Sequence, residues 1–206
     1  MQLSEEKILC LSGKEFAILA DVCGIRNLIC FQTDEDDMPA LPDRQEYPVI
    51  VHGLIKRGIL KSADDGIELT PDTVKLFVCI RSAAYTFRFI RNSGINKVSS
   101  CIYVGTTGEF VSALPGSRHG EYIRLCLHNK DVLPQWLNDV ELSDADSVFS
   151  GLGSILVSKG IRDGIYAEYT SEQQPDGSVR FAGKDGAVFY SAEITSKLLK
   201  IAGGNS

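Results

Sequence analysis

The residues able to do chemistry in this chain are few and scattered. Histidine occurs at 52, 119 and 128. None stands four residues from another, and none shares a motif with a carboxylate or a nucleophile, as metal sites and catalytic triads require. The six cysteines, at 10, 23, 30, 79, 101 and 126, form no C-x-x-C and have no histidine at zinc spacing. They sit in apolar stretches such as "ILCL", "LFVCI" and "RLCLH", so the expectation is buried, reduced thiols in a reducing compartment. Their even number leaves disulfides open. G-x-S-x-G, H-E-x-x-H and the S-x-x-K set with its partners are all missing. Gly151-Leu152-Gly153 lacks the third glycine of a dinucleotide fingerprint, since position 156 is Leu. The loop "PGSRHG" at 115–120 could form a small anion nest with Arg118, but a plain strand connection is the simpler reading. These observations predict no catalytic residue, no metal and no cofactor. An enzyme on an unfamiliar α+β fold is the residual reading.

Composition narrows the partners. Apolar residues make up 44% of the 206 and charged residues 23%, ordinary globular values that argue against wholesale disorder. No apolar run approaches the roughly 18 residues of a membrane span. The opening "MQLSEEKILCL" places acids ahead of a very short apolar run, which does not read as a signal peptide. A cytoplasmic location and no membrane insertion are therefore expected. The formal charge of −6 disfavours a polyanionic partner, because nucleic-acid affinity comes largely from Lys and Arg on phosphates. The densest charge run, "TDEDD" at 33–37, reads as a solvated loop.

The elements follow from caps, turns and periodicity. "KILCL" at 7–11 reads as a strand, and Ser12-x-x-Glu15 is a capping box opening a helix that Gly24 ends. A second helix spans about 44–57. A small hairpin turning at Asp65-Gly66 follows, then a third helix from Thr70-Pro71 to about 91. Period-two stretches at 98–105, 109–114 and 121–129 predict an antiparallel meander, with Ile123, Leu125 and Leu127 facing the core and His128 on the polar side. A short helix or turn at 131–140 and a Gly-rich helix from Ser143 to Lys159 come next. A second meander at 164–170, 179–182 and 187–190 precedes a final helix at 192–201, capped by Ser191. The fold class is α+β. Two similar halves, 1–130 and 131–206, each combine helices with a three-stranded antiparallel meander, and one sheet could join them.

Helix, hairpin, helix over 44–91 has the rhythm of a winged helix. That makes a DNA-binding regulator with a C-terminal sensor domain the alternative function. Against it, "DTVKLFVCIRSAAYTFRFIR" is apolar nearly all round, whereas a reading helix needs a basic face. The hairpin then reads as a brace between two core helices.

Two stretches, "KILCLSGKEFAILADVCGIRNL" at 7–28 and "LIKRGILKSADDGIELTPDTVKLFVCI" at 54–80, resemble the EspG family, cytoplasmic chaperones of type VII (ESX) secretion systems, and its Gram-positive relatives. Leu11, Ser12, Glu15, Phe16 and Leu19 match its L-(S/T)-x-x-E-(F/L)-x-x-L pattern, and Leu54, Arg57, Gly58 and Ile59 match L-x-x-R-G-(I/L). The resemblance implies two α/β halves related by a pseudo-twofold. It also implies a non-enzymatic chaperone or adaptor that holds a secretion substrate, a helical-hairpin client of the WXG100 class. No binding residue is carried over from the family. The binding surface is placed on the exposed tips of the second meander, at Gln174, Asp176 and Ser178, with outward-facing Tyr166 and Arg180.

Overall fold

The computed structural model describes residues 8–25, 39–64, 66–93, 96–116, 119–142, 152–161, 165–176, 178–190 and 193–203. Its first strand, β1 (Ile8–Leu11), leads into α1 (Gly13–Val22) through the expected capping box. Glu15 N–H donates to Ser12 Oγ at 3.3 Å, and Ser12 N–H donates to Glu15 Oε2 at 2.8 Å. The helix α2 (Glu46–Lys56) ends before Gly58, whose φ of 68° only glycine adopts at no cost. The hairpin β2 (Leu60–Ala63) and β3 (Gly66–Leu69) stands apart from the main sheet. Thr70 then occupies the N-cap of α3 (Pro71–Arg81) without a side-chain cap. Its hydroxyl instead lies 3.1 Å from both the Gly58 and Ile59 carbonyl oxygens, and Thr73 Oγ1 donates to Ile59 O at 3.1 Å. These bonds fasten the hairpin to the end of α2.

Eight further strands complete the fold: β4 (Ala83–Ser93), β5 (Asn96–Gly105), β6 (Glu109–Pro115), β7 (Ile123–Asn129), β8 (Leu152–Lys159), β9 (Ile165–Gln173), β10 (Val179–Gly183) and β11 (Val188–Tyr190). Between them lie α4 (Leu133–Leu142), after β7, and α5 (Ile194–Ile201), after β11. Nine strands form one antiparallel sheet in the order β1-β7-β6-β5-β4-β8-β9-β10-β11. Both expected meanders are present, β5-β6-β7 and β9-β10-β11. The β4–β8 pairing joins the strands before residue 130 to those after it.

Two expected helices are corrected. The third helix stops at Arg81, and the residues to 93 form β4, with Phe87 and Phe89 on one face and Thr86 and Arg88 on the other. From Leu152 the expected Gly-rich helix is β8, with Ile155 and Val157 alternating against Ser154 and Ser158. Ser143, the expected start of that helix, and Gly151 lie outside the described residues, as does Ser191. The final helix instead has Glu193 at its N-cap. In both corrected stretches, ladder bonds to a strand on each side outweigh local propensity.

Helices cover both faces of the sheet, α1–α3 one face towards its β1 end and α4 and α5 the other. One face carries Leu11, Cys101, Tyr103, Val111, Ala113, Ile123 and Leu125, packed under Phe16 and Leu19 of α1, Leu54 of α2 and Phe77 and Ile80 of α3. The other carries Phe87, Phe89, Ile102, Phe110, Ile155, Val157, Tyr169, Phe181 and Phe189, packed under Leu133 and Leu137 of α4 and Ile194 and Leu198 of α5. The central strands are buried on both faces, which is why "CIYV" at 101–104 is an unbroken apolar run. For the same reason His128 is buried at 6% exposure rather than on a polar surface: α4 covers its side of β7.

Candidate functional site

The groups most able to react are either separated or sealed. His52 and His119 are exposed. His128 Nε2 lies 2.8 Å from Ser112 Oγ, a nucleophile–base contact that the strand register creates and no motif announces. Ser112 is 3% exposed, and the imidazole stacks on Phe110 with ring centroids 4.6 Å apart beside Trp136. Both side chains are buried, and the bond satisfies two polar groups inside a core. Among the described residues no group of three or more His, Cys, Asp or Glu could hold a metal ion.

The cysteines divide. Cys10, Cys23, Cys79 and Cys126 are reduced thiols, and Cys30 lies outside the described residues. Burial pushes the Cys23 thiol up from 9.0 to about 11 against a lowering from Arg81, and burial aided by Glu109 does the same to Cys79. Neither is a reactive thiolate at neutral pH. Cys101 is disulfide-bonded, which corrects the expectation of uniformly reduced thiols. Pairing depends on which side chains the fold brings within reach, and spacing alone does not reveal that.

The five residues placed at the partner surface lie along β9, β10 and their turn. Gln174 N–H donates to Ser178 O at 2.8 Å, closing the turn. Asp176 Oδ1 accepts from Ser178 N–H at 2.9 Å and from Ser178 Oγ at 2.7 Å. Those hydrogen bonds hold the exposed Asp176 carboxyl below its ordinary range. The turn thus spends its polar groups on itself. Arg180 lies opposite Glu172 across the ladder, 3.7 Å away, and opposite Tyr190 on the other side. Tyr166 belongs to β9, but its side chain lies outside the described residues.

What the turn-centred reading missed is the face beside it. The register aligns Leu156, Glu168, Thr170, Glu172, Arg180, Ala182, Val188 and Tyr190 on the side of the sheet that α1–α3 cover at the other end. The cluster under those helices contains no residue of β8–β11. Val188 is 50% exposed and Tyr190 48%, while Phe189 between them is buried on the opposite face. Cross-strand ion pairs flank them, Arg180–Glu172 and Lys184–Glu168 at 2.7 Å. The alternation Val188, Phe189, Tyr190 signals the strand. Which of its faces a helix covers is set by tertiary packing.

The basic groups on α3 are sparse. Its exposed side carries Asp72, Val74, Lys75, Val78 and Arg81, and Arg81 Nη1 donates to Cys23 O at 3.4 Å. No described helix is long and apolar enough to cross a membrane. Compared with known proteins, the chain matches no family model and no curated sequence.

Proposed function

We propose that this chain is a non-enzymatic, cytoplasmic chaperone or adaptor that binds a type VII secretion substrate, a helical-hairpin client of the WXG100 class. The observation that carries the protein-binding part is the exposed face of β10–β11, which no described helix covers. There Val188 and Tyr190 present apolar surface between paired charges, the mixture that protein interfaces use. The client class rests on the resemblance of residues 7–28 and 54–80 to the EspG family. Support also comes from the capping box and from the Arg57-Gly58 helix end, which take up positions that those motifs require.

Co-expression with WXG100-type hairpins encoded beside the gene, followed by affinity purification, tests the reading. The expected result is a complex that Tyr190→Ala and Arg180→Ala weaken without loss of fold. Absence of a complex with every such neighbour would reject the client class. A salt-dependent gel shift on duplex DNA would instead favour the winged-helix alternative.

A further inference from the structure

Each edge of the nine-stranded sheet has an outward backbone group held by a charged side chain. At β1, Leu11 O accepts from Tyr122 N–H, so alternation turns Ile8 and Cys10 outward. The Arg57 guanidinium donates to Cys10 O and to Glu15 Oε1 at 2.7 Å. At β11, Ala187 O accepts from Gly183 N–H, so Val188 and Tyr190 turn their N–H and C=O outward. Glu193 Oε2 accepts from Tyr190 N–H at 2.9 Å.

We infer that Glu193 is an edge stop: it holds β11 closed to strand addition by a second copy of this chain. The two edges differ in how firmly they are closed. Arg57 is tied into the capping box through Glu15, whose other oxygen holds Ser12 N–H. Glu193 is one exposed side chain three residues beyond the amide it covers. The β11 edge is short, but Val188-Phe189-Tyr190 contains no Lys, Pro or bulge to deter pairing.

A second copy is the fitting occupant because the edge is self-complementary. Antiparallel pairing about a twofold at Phe189 sets Val188 of one copy opposite Tyr190 of the other, and both residues turn their polar groups outward. The pairing exchanges hydrogen bonds in each of two equivalent places and brings the exposed Val188 and Tyr190 side chains together across the junction. Glu193 opposes this twice. It occupies the Tyr190 donor in both copies, and it sets two carboxylates close to the same axis. The inference does not depend on which client the open face takes.

Sedimentation velocity over a concentration series tests it on the full chain. The parent should stay monomeric, Glu193→Ala should dimerise, and Glu193→Gln, which keeps an acceptor without the charge, should fall between. Two freed donors should tighten dimerisation about tenfold or more. Adding Val188→Lys to Glu193→Ala should restore the monomer. Amide exchange at Tyr190 separates this from a merely structural role: in Glu193→Ala it should be fast when dilute and slow when concentrated. Monomeric Glu193→Ala with concentration-independent exchange would overturn the inference. So would a parent dimer, or a Glu193→Ala dimer that Val188→Lys leaves intact. Should Glu193→Ala fail to fold, Glu193→Gln carries the comparison.

Discussion

Replacing Ile155 with alanine tests the seam of the fold. Ile155 is fully buried in β8, opposite Phe89 of β4 on one side and Tyr169 of β9 on the other. The change removes three carbons, worth about 2.4 kcal/mol of transfer energy at about 0.8 kcal/mol each. The cavity left between two aromatic neighbours adds to this, for a total of about 2–5 kcal/mol. Against an ordinary stability of about 5–15 kcal/mol that is a large share. It corresponds to a fall in Tm of about 4–20 °C for a chain of this size. Urea unfolding followed by far-UV circular dichroism and by the single tryptophan, Trp136, reads the effect from two places. Trp136 packs edge-on against Phe110, on the part of the sheet before the seam. Both probes should shift together to lower urea with the slope unchanged. A loss below about 1 kcal/mol would show that β8 is not packed as described. A Trp136 transition at its parental midpoint, with only part of the dichroism shifted, would refute a sheet that unfolds as one unit.

Three other outcomes follow from the same packing. Among the described residues, Tyr103 Oη and Ser158 Oγ are buried without a hydrogen-bond partner. Tyr103→Phe and Ser158→Ala should therefore each be neutral or stabilising, by up to about 1–3 kcal/mol, and a clear loss in urea unfolding would reveal a partner. A Cβ on Gly116 would sit 2.2 Å from the Glu121 carbonyl oxygen, so Gly116→Ala should cost about 1–3 kcal/mol or more; a parental Tm would contradict the turn. Burial lifts Cys23 and Cys79 from 9.0 to about 11 and raises Tyr103 well above its ordinary value. Above about pH 9 the unfolded chain gives up thiol protons that the folded chain keeps, so the two cysteines' contribution is full below pH 9 and lost as pH rises towards 11. Thermal melts should drop across that window, less steeply in Cys79→Ala, and a flat profile would exclude the linkage.

Local chemistry was legible wherever it is local. Ser12 and Glu15 form their box, Gly58 takes its positive φ, and both meanders occur where period two predicts them. The errors fall at 82–91 and 152–159, which pair with each other at the centre of the sheet. Tyr85, Phe87 and Phe89 did carry a period-two signal there, but the preceding helix extended through them at helical spacing just as well. The candidate site was only partly readable. Its turn, at Gln174–Ser178, is a local structure, whereas the face beside it is assembled from β8 through β11.

Caps, turns and strand alternation belong to the sequence itself, because each depends on neighbours within a few residues. Tertiary structure alone decided that β4 lies against β8, that Ser112 meets His128, and that α1–α3 and α4–α5 cover opposite faces. It also decided that Arg57, at the end of α2, holds the edge at Cys10. The physical reason is the same throughout. A strand exposes identical backbone groups whatever its partner, and its two faces differ only by what comes to lie on them.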